Sequence, residues 1–319
     1  MRKAFLFPQT FLVFLFFSFS LSSLPAAEQI YSDLPRETRL PFAKWWEPEG
    51  LEVFKAAYPD LIFIPTFDKE KNDWLIHIIV DNGGSASQGK KKETALYWAE
   101  GRFLPEEKLS DASKYRKMVY PYTKYVPDPK NFTEEDISRI KEYTSKESRE
   151  NAPIDPPFLY DFIYDCKTRA SLESHIVKVQ FLGFTLNVHE RIKDKVLRVE
   201  KRIKALPETP ELKAFISTLN RVDCYNWRSV RDTENRSFHS LALAIDILPR
   251  GYYQKFIYWG WQRQWDSEGW FMTPLEKRWM PPQEIIDIFV SEGFLWGGSW
   301  IVWDNMHFEY RPEVLLFNK

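Results

Sequence analysis

Val188, Ile192, Val196, Val199 and Ile203 recur at spacings of four and three. That period predicts one amphipathic helix over 188–203, its apolar stripe turned toward a core. Pro207 stops it, because a proline inside a helix removes a donor and clashes with the preceding turn. Thr209-Pro210 then opens a second helix with Leu212, Phe215, Ile216 and Leu219 facing inward. A third is expected from Pro281-Pro282 to Gly293, burying Ile285, Ile286, Phe289 and Val290. Strand-like runs, Leu243–Leu248 and Trp300–Tyr310, lie between and after these helices. Helices and strands that do not alternate regularly predict an α+β fold, with a small antiparallel sheet and flanking helices.

Upstream, the chain is polar and punctuated by proline, and it reads as an extension of mixed strands and helices. Asp60–Pro65 and Trp74–Val80 read as strands, the second ending at Asp81-Asn82-Gly83-Gly84, with a solvated loop over Gly83–Lys92. Thr133 is an N-cap for a short helix carrying Ile137, Ile140 and Tyr143. The proline-rich stretch Asn151–Phe158 is the most linker-like. The expected division is therefore 1–27, then 28–157 of unknown role, then 158–319.

The first 27 residues start Met1-Arg2-Lys3, run uncharged from Ala4 to Ala27, and offer Leu24-Pro25-Ala26-Ala27 before Glu28. A basic start, an apolar core and a small-residue exit make a secretory signal peptide. An uncleaved anchor is the alternative, since the stretch could nearly span a bilayer. Export to the periplasm or cell envelope is expected, with no stable membrane insertion after cleavage. In an oxidising compartment Cys166 and Cys224 could pair, or each could stay a buried thiol. The chain holds 44 Lys plus Arg against 45 Asp plus Glu, a net charge of -1. That balance argues against a nucleic-acid binder, and 25 Phe, 15 Tyr and 13 Trp argue against disorder.

Five histidines carry what chemistry there is. Val188-His189-Glu190-Arg191 looks like the start of a His-Glu-x-x-His zinc helix, but that motif needs histidine at position 193, which is Lys193. His189 is therefore read as a helix-surface residue, and His77 and His175 have no suitable partners in sequence. His239 and His307 differ. With Asp246 they could supply three N or O ligands and leave a position open for water, while Asp304 could take that water's proton. His239 must then come from a turn folding back onto the strand of Asp246, and the chain must bend near Asn305. On spacing alone, Asp246 capping a strand end and His307 satisfied in a core fit equally well.

These residues carry a resemblance. Ser237-Phe238-His239, then Asp246, then Asp304-Asn305-Met306-His307 is similar to the zinc D-alanyl-D-alanine carboxypeptidase and L-alanyl-D-glutamate endopeptidase family, which includes the VanY-type enzymes. Tyr225-Asn226-Trp227-Arg228 upstream and Gly293–Trp300 before the second motif resemble it too, the whole covering about residues 170–319. The resemblance implies a zinc peptidase domain over 158–319 with His239, Asp246 and His307 as Zn2+ ligands and Asp304 as general base. It places Arg228 against a substrate carbonyl or carboxylate, with Arg231 and Arg236 close enough to exchange with it, Ser237 offering a hydroxyl to substrate, and Glu309 orienting a ligand. Ala242 departs from the pattern, which has glycine three residues after the first histidine. Nine of the 13 tryptophans fall between Trp227 and Trp303. Most should pack in the core, and Trp296 and Trp300 are the candidates for a groove wall.

The resulting expectation is a monomeric, exported peptidase acting on peptidoglycan stem peptides. Rival readings are a non-catalytic wall- or glycan-binding protein on the same scaffold, and an envelope protein whose N-terminal region does the work.

Overall fold

In the computed structural model, which describes residues 47–80, 92–230, 235–251 and 254–319, helix α1 (Leu51–Ala57) leads into an antiparallel meander. Its strands are β1 (Leu61–Asp68), β2 (Asp73–Val80) and β3 (Glu93–Tyr97). Alternation decides the faces: Leu61 and Phe63 turn inward while Ile62 and Ile64 turn out. The two strands expected here are present, paired from Leu61 opposite Val80 to Asp68 opposite Asp73. The leader, residues 81–91, which include all but the last residue of the expected loop, and Arg231 lie outside the described residues.

Helix α2 (Glu134–Tyr143) begins where expected. The Thr133 hydroxyl accepts from Asp136 N at 3.2 Å and the Asp136 carboxylate accepts from Thr133 N at 2.9 Å, a reciprocal cap. The short helices α3 (Lys146–Glu150), α4 (Phe158–Tyr164) and α5 (Arg169–Glu173) follow. Next come the hairpin β4 (Ile176–Phe181) and β5 (Phe184–His189), then α6 (Lys193–Lys204) and α7 (Pro210–Thr218). The Thr209 hydroxyl caps α7 by accepting from Leu212 N.

The remaining elements are β6 (Leu219–Asp223), β7 (Ala244–Pro249), α8 (Trp259–Trp265), α9 (Gln283–Ser291), β8 (Phe294–Trp296), β9 (His307–Tyr310) and α10 (Pro312–Phe317). Four of these strands form an antiparallel sheet in the order β6-β7-β9-β8. Ten α-helices and small antiparallel sheets, with no barrel among the described residues, make this the expected α+β fold.

Three local expectations change. Val188 belongs to β5, opposite Val177, and the helix starts only at Lys193. Two residues before it on the same strand face, Leu186 is buried with it, so a strand period met the helix period in phase. Ile216 is 37% exposed, because Leu212 and Phe215 already fill the buried side of α7, and Leu219 leaves the helix to begin β6. Of Trp300–Tyr310 only the last four residues are strand.

One buried cluster runs from Leu51 and Phe54 in α1 through Leu159 and Ile163 in α4 to Ile245, Phe289 and Phe308. Phe289 of α9 stacks on Phe308 of β9, ring centroids 4.0 Å apart, which holds the helix against the sheet. A second cluster gathers Ile140, Trp259, Trp270, Phe271 and Trp303. Residues 47–319 form one compact unit. Cys166 and Cys224 are free, buried thiols, and burial pushes the first up to about 12. Among the described residues no helix is long and apolar enough to cross a membrane.

Candidate active site

Asp246 sits on the central strand β7, opposite His307 of β9 and Asp223 of β6. Its neighbours Ile245 and Ile247 are wholly buried on the other face, so strand alternation aims its carboxylate away from the core. His239 arrives from a 3-10 turn, Phe238–Leu241, that folds back before β7, as the seven-residue spacing requires. The turn closes at Ala242, at φ 54° and ψ 33°, the left-handed region in which the family pattern has glycine.

His307 and Asp304 are brought together by a bend at Asn305-Met306. Asn305 is fully buried; its side-chain amide donates to Trp279 O at 2.5 Å, its N–H to Ile257 O at 2.9 Å, and its carbonyl accepts from the Trp296 indole at 3.0 Å. Asp304 N donates to Gly297 O at 3.0 Å. Position 297 must be glycine for that approach, since a Cβ there would lie 2.7 Å from Asp304 O.

Three donors converge. His239 Nε2 lies 3.2 Å from His307 Nδ1 and 3.1 Å from Asp246 Oδ2, and His307 Nδ1 lies 2.9 Å from Asp246 Oδ1. All three ligand atoms fall within 4.8 Å of one another, and this is the sole such group among the described residues. The outer nitrogens set the tautomers. His239 Nδ1–H donates to Cys224 O at 2.5 Å, and His307 Nε2–H donates to Glu309 Oε2 at 3.1 Å. In the neutral rings both inner nitrogens present lone pairs, with a carboxylate between them. Electron pairs facing one point repel, and a bound cation removes that repulsion, so the donor set fits a metal ion. Burial opposes charge on Asp246, but His239 and His307 outweigh it and hold the carboxyl far below its usual range. Burial likewise opposes charging His307, and Asp246 and Glu309 outweigh it, holding the imidazole well above its usual value.

Asp304 is tuned the other way. Burial and the neighbouring Asp246 charge push its carboxyl up to about 7, against the pull of His307 and Arg228. Its Oδ1 is buried with no hydrogen-bond partner among the described residues. A buried carboxyl oxygen without a protein partner, with a pKa near neutrality, is suited to exchange a proton with a bound molecule.

These groups open into a cleft of ≈ 1710 Å³, lined by Asp246, Asp304 and His307 and also by Arg228, Ser237 and Trp300. Arg228 is exposed, its carbonyl accepting from Ser237 N at 3.1 Å. Arg236 is committed elsewhere: it pairs with Asp161 at 2.6 Å and donates to Cys166 O. Ser237 Oγ accepts from His239 N at 3.3 Å, capping the 3-10 turn, and the side chain borders the cleft. Trp300 tilts over His307 with ring centroids 5.6 Å apart. Trp296, expected on a groove wall, is instead 2% exposed in the core, where its indole N–H is used to fix the Asn305 bend.

The other histidines are structural. His189 is buried, not on a helix surface: it ends β5, donates from Nε2 to Tyr164 O at 2.9 Å and accepts from Arg191 N. His175, without suitable neighbours in sequence, lies between Glu190 at 2.8 Å and Asp165 at 3.2 Å. His77 is exposed on β2. Sequence reasoning missed the Cys224 carbonyl, which no side-chain pattern can reveal, and the aromatic and basic wall supplied by residues 116–155.

Residues 50–120 match a family described as a domain of unknown function. No curated protein and no solved structure matches the chain. Residues 231–310 match the family model described as D-alanyl-D-alanine carboxypeptidase, the family that the His239, Asp246 and His307 motifs resemble, so a peptidase-family segment lies in the C-terminal half.

Proposed function

We propose that the protein is an exported zinc peptidase hydrolysing an amide bond in peptidoglycan stem peptides, as a D,D-carboxypeptidase or an L-alanyl-D-glutamate type endopeptidase. The observation that carries this reading is the convergence of His239, Asp246 and His307 beside Asp304, a carboxyl of raised pKa whose Oδ1 has no hydrogen-bond partner among the described residues, in a wide cleft. The family match over 231–310 supports peptide hydrolysis, and the leader-like first 27 residues support export.

A divalent cation held by His239 Nε2, Asp246 and His307 Nδ1 supplies Lewis acidity toward water and the scissile carbonyl, and zinc suits two nitrogens, one carboxylate and an open position. Asp304 accepts the proton of the attacking water as its carboxylate and then, as the acid, donates it to the departing amine nitrogen. A pKa near 7 lets one group serve both steps at neutral pH. Arg228, on the cleft wall, offers its guanidinium to the oxygen on which negative charge develops. Glu309 holds the His307 ring in the tautomer that presents Nδ1.

The test is mass spectrometry of purified muropeptides incubated with zinc-loaded protein, with a chelated sample beside it. Chelator-sensitive loss of one terminal D-alanine assigns a carboxypeptidase. New termini inside the stem or at a cross-link assign an endopeptidase. Binding to the wall with no metal-dependent cleavage would overturn the reading in favour of a non-catalytic wall-binding protein.

A further inference from the structure

The match to the peptidase family begins at residue 231, yet much of one wall of the cleft comes from residues 116–155. Helix α2 contributes Asp136, Arg139, Ile140 and Tyr143, spaced three, one and three, which puts them on one helical face. Ile140 is 4% exposed and anchors that face among Trp259, Trp270, Phe271 and Trp303. Trp303 immediately precedes Asp304, so the helix docks on the segment that carries the proton-exchanging carboxyl.

Hydrogen bonds fix the rest of the wall. Arg263 donates to Thr144 O at the end of α2 at 2.9 Å. Asp155 N donates to Asn235 Oδ1 at 2.6 Å, beside the Ser237 motif. The Tyr122 hydroxyl accepts from Trp296 N at 3.0 Å and donates to Trp296 O at 3.2 Å. The wall is thus bonded to α8, to the stretch before the His239 turn and to β8.

Its chemistry is readable. Eight Lys or Arg side chains border the described cleft, and five of them, Arg116, Lys117, Arg221, Arg236 and Arg311, are ion-paired with Asp155, Glu100, Asp223, Asp161 and Glu313. Arg139 stands out because its ion pair is the i,i+4 contact with Glu135, both side chains 72% exposed. Such an exposed pair is weak, so a carboxylate in the cleft competes with it readily. Tyr143, 53% exposed one turn further on, adds an aromatic surface. At ≈ 1710 Å³ the cleft exceeds the roughly 300–1,000 Å³ that holds a small ligand, and it suits an extended chain.

We propose that Arg139 and Tyr143 of α2 form a subsite for the part of the substrate remote from the scissile amide, and that this subsite selects an extended peptide bearing carboxylates. The inference rests on the peptidase reading. Its test uses the full chain, zinc-loaded, on two synthetic stem peptides identical except that the side carboxylates are free in one and amidated in the other. The wild type should show higher kcat/KM on the free acid. Arg139→Glu should lower the ratio of the two kcat/KM values about tenfold, as expected for losing one charge-assisted contact, and Arg139→Lys should retain most of it. Tyr143→Ala should raise KM more than it lowers kcat.

A wild-type ratio near one overturns the subsite, as does a ratio unmoved in Arg139→Glu or, should that variant misfold, in Arg139→Ala. Cleavage of both peptides in those cases leaves the peptidase reading standing. If the wild type cleaves neither, the peptidase reading itself fails and takes the subsite with it.

Discussion

At Asp304 a single carboxyl is set apart from Asp246, a neighbour of the same kind, by what surrounds each. Asp246 has two imidazoles to hold its charge, whereas Asp304 has burial and a nearby like charge. Asp304→Asn keeps the shape and removes the proton acceptor. It should lower hydrolysis by about 10²–10⁴-fold with the bound metal retained, read by muropeptide turnover and metal content; surviving activity would sink the base assignment. Ala242 poses a smaller question. Its left-handed backbone costs about 1 kcal/mol without glycine, but its methyl is fully buried and contributes about 0.8 kcal/mol. Ala242→Gly should therefore shift unfolding free energy by less than about 1 kcal/mol, measured by urea denaturation; a large gain would mean the strain is greater than its dihedrals imply.

His189 supplies the pH dependence. Burial pushes its imidazole down to about 4 from an ordinary 6.5, and the charge on His175 adds to the shift. A group with a folded pKa below its unfolded one binds its proton more readily in the unfolded chain. Stability from neutral His189 is thus full above pH 6.5 and drains away as pH falls toward 4, by about 3 kcal/mol. His189→Gln should flatten that acid limb in urea unfolding run from pH 7 to 4; an unchanged slope would place the acid sensitivity elsewhere.

At the scale of elements, α2 shows how far pattern reading goes. Thr133 as cap and Ile137, Ile140 and Tyr143 on one side were legible, because caps and helical spacing are local properties. Which surface receives the helix was not, since Trp259, Trp270 and Trp303 lie more than a hundred residues away. Ile140→Ala should cost about 2–5 kcal/mol and loosen α2 from the Asp304 segment, lowering both the denaturant midpoint and turnover. A full stability loss with unchanged turnover would separate the helix from the site. The failure at Val188 is of the opposite kind. Its spacing to Ile192 suits a helix, but it pairs with Val177 across a hairpin, and only pairing distinguishes the two.

Across the whole molecule, a buried chain of polar groups joins the site to the first elements of the fold. Glu309 accepts from His307 and lies 3.9 Å from Arg311, which pairs with the fully buried Glu313 at 3.2 Å. Glu313 accepts from the hydroxyls of Tyr160 at 2.6 Å and of Tyr58, next to α1, at 2.9 Å, while Arg311 donates to Met118 O. Removing residues 28–157 would take the Tyr58 hydroxyl from Glu313 and the Met118 carbonyl from Arg311, at about 1–3 kcal/mol for each buried polar group left unsatisfied, and would strip Leu51, Phe54, Phe63 and Ile76 from the shared core. A fragment of residues 158–319 should therefore be insoluble or unfolded; a soluble fragment with a cooperative thermal transition would show that the pair is satisfied without its N-terminal partners.

By itself the sequence determined the elements with strong local signals, the α+β class, and the short list His239, Asp246, Asp304 and His307, because period, caps and motif spacing act over a few residues. The tertiary structure decided which nitrogen each histidine presents, since Glu309 is placed by sheet pairing and the Cys224 carbonyl by the end of β6 just before it. It also tied Arg236 to Asp161 at the cleft's edge while leaving Arg228 exposed on the cleft wall, and moved Trp296 from the wall to the core. It set α2 beside the site as well. Those outcomes depend on contacts between residues distant along the chain, and no spacing rule contains them.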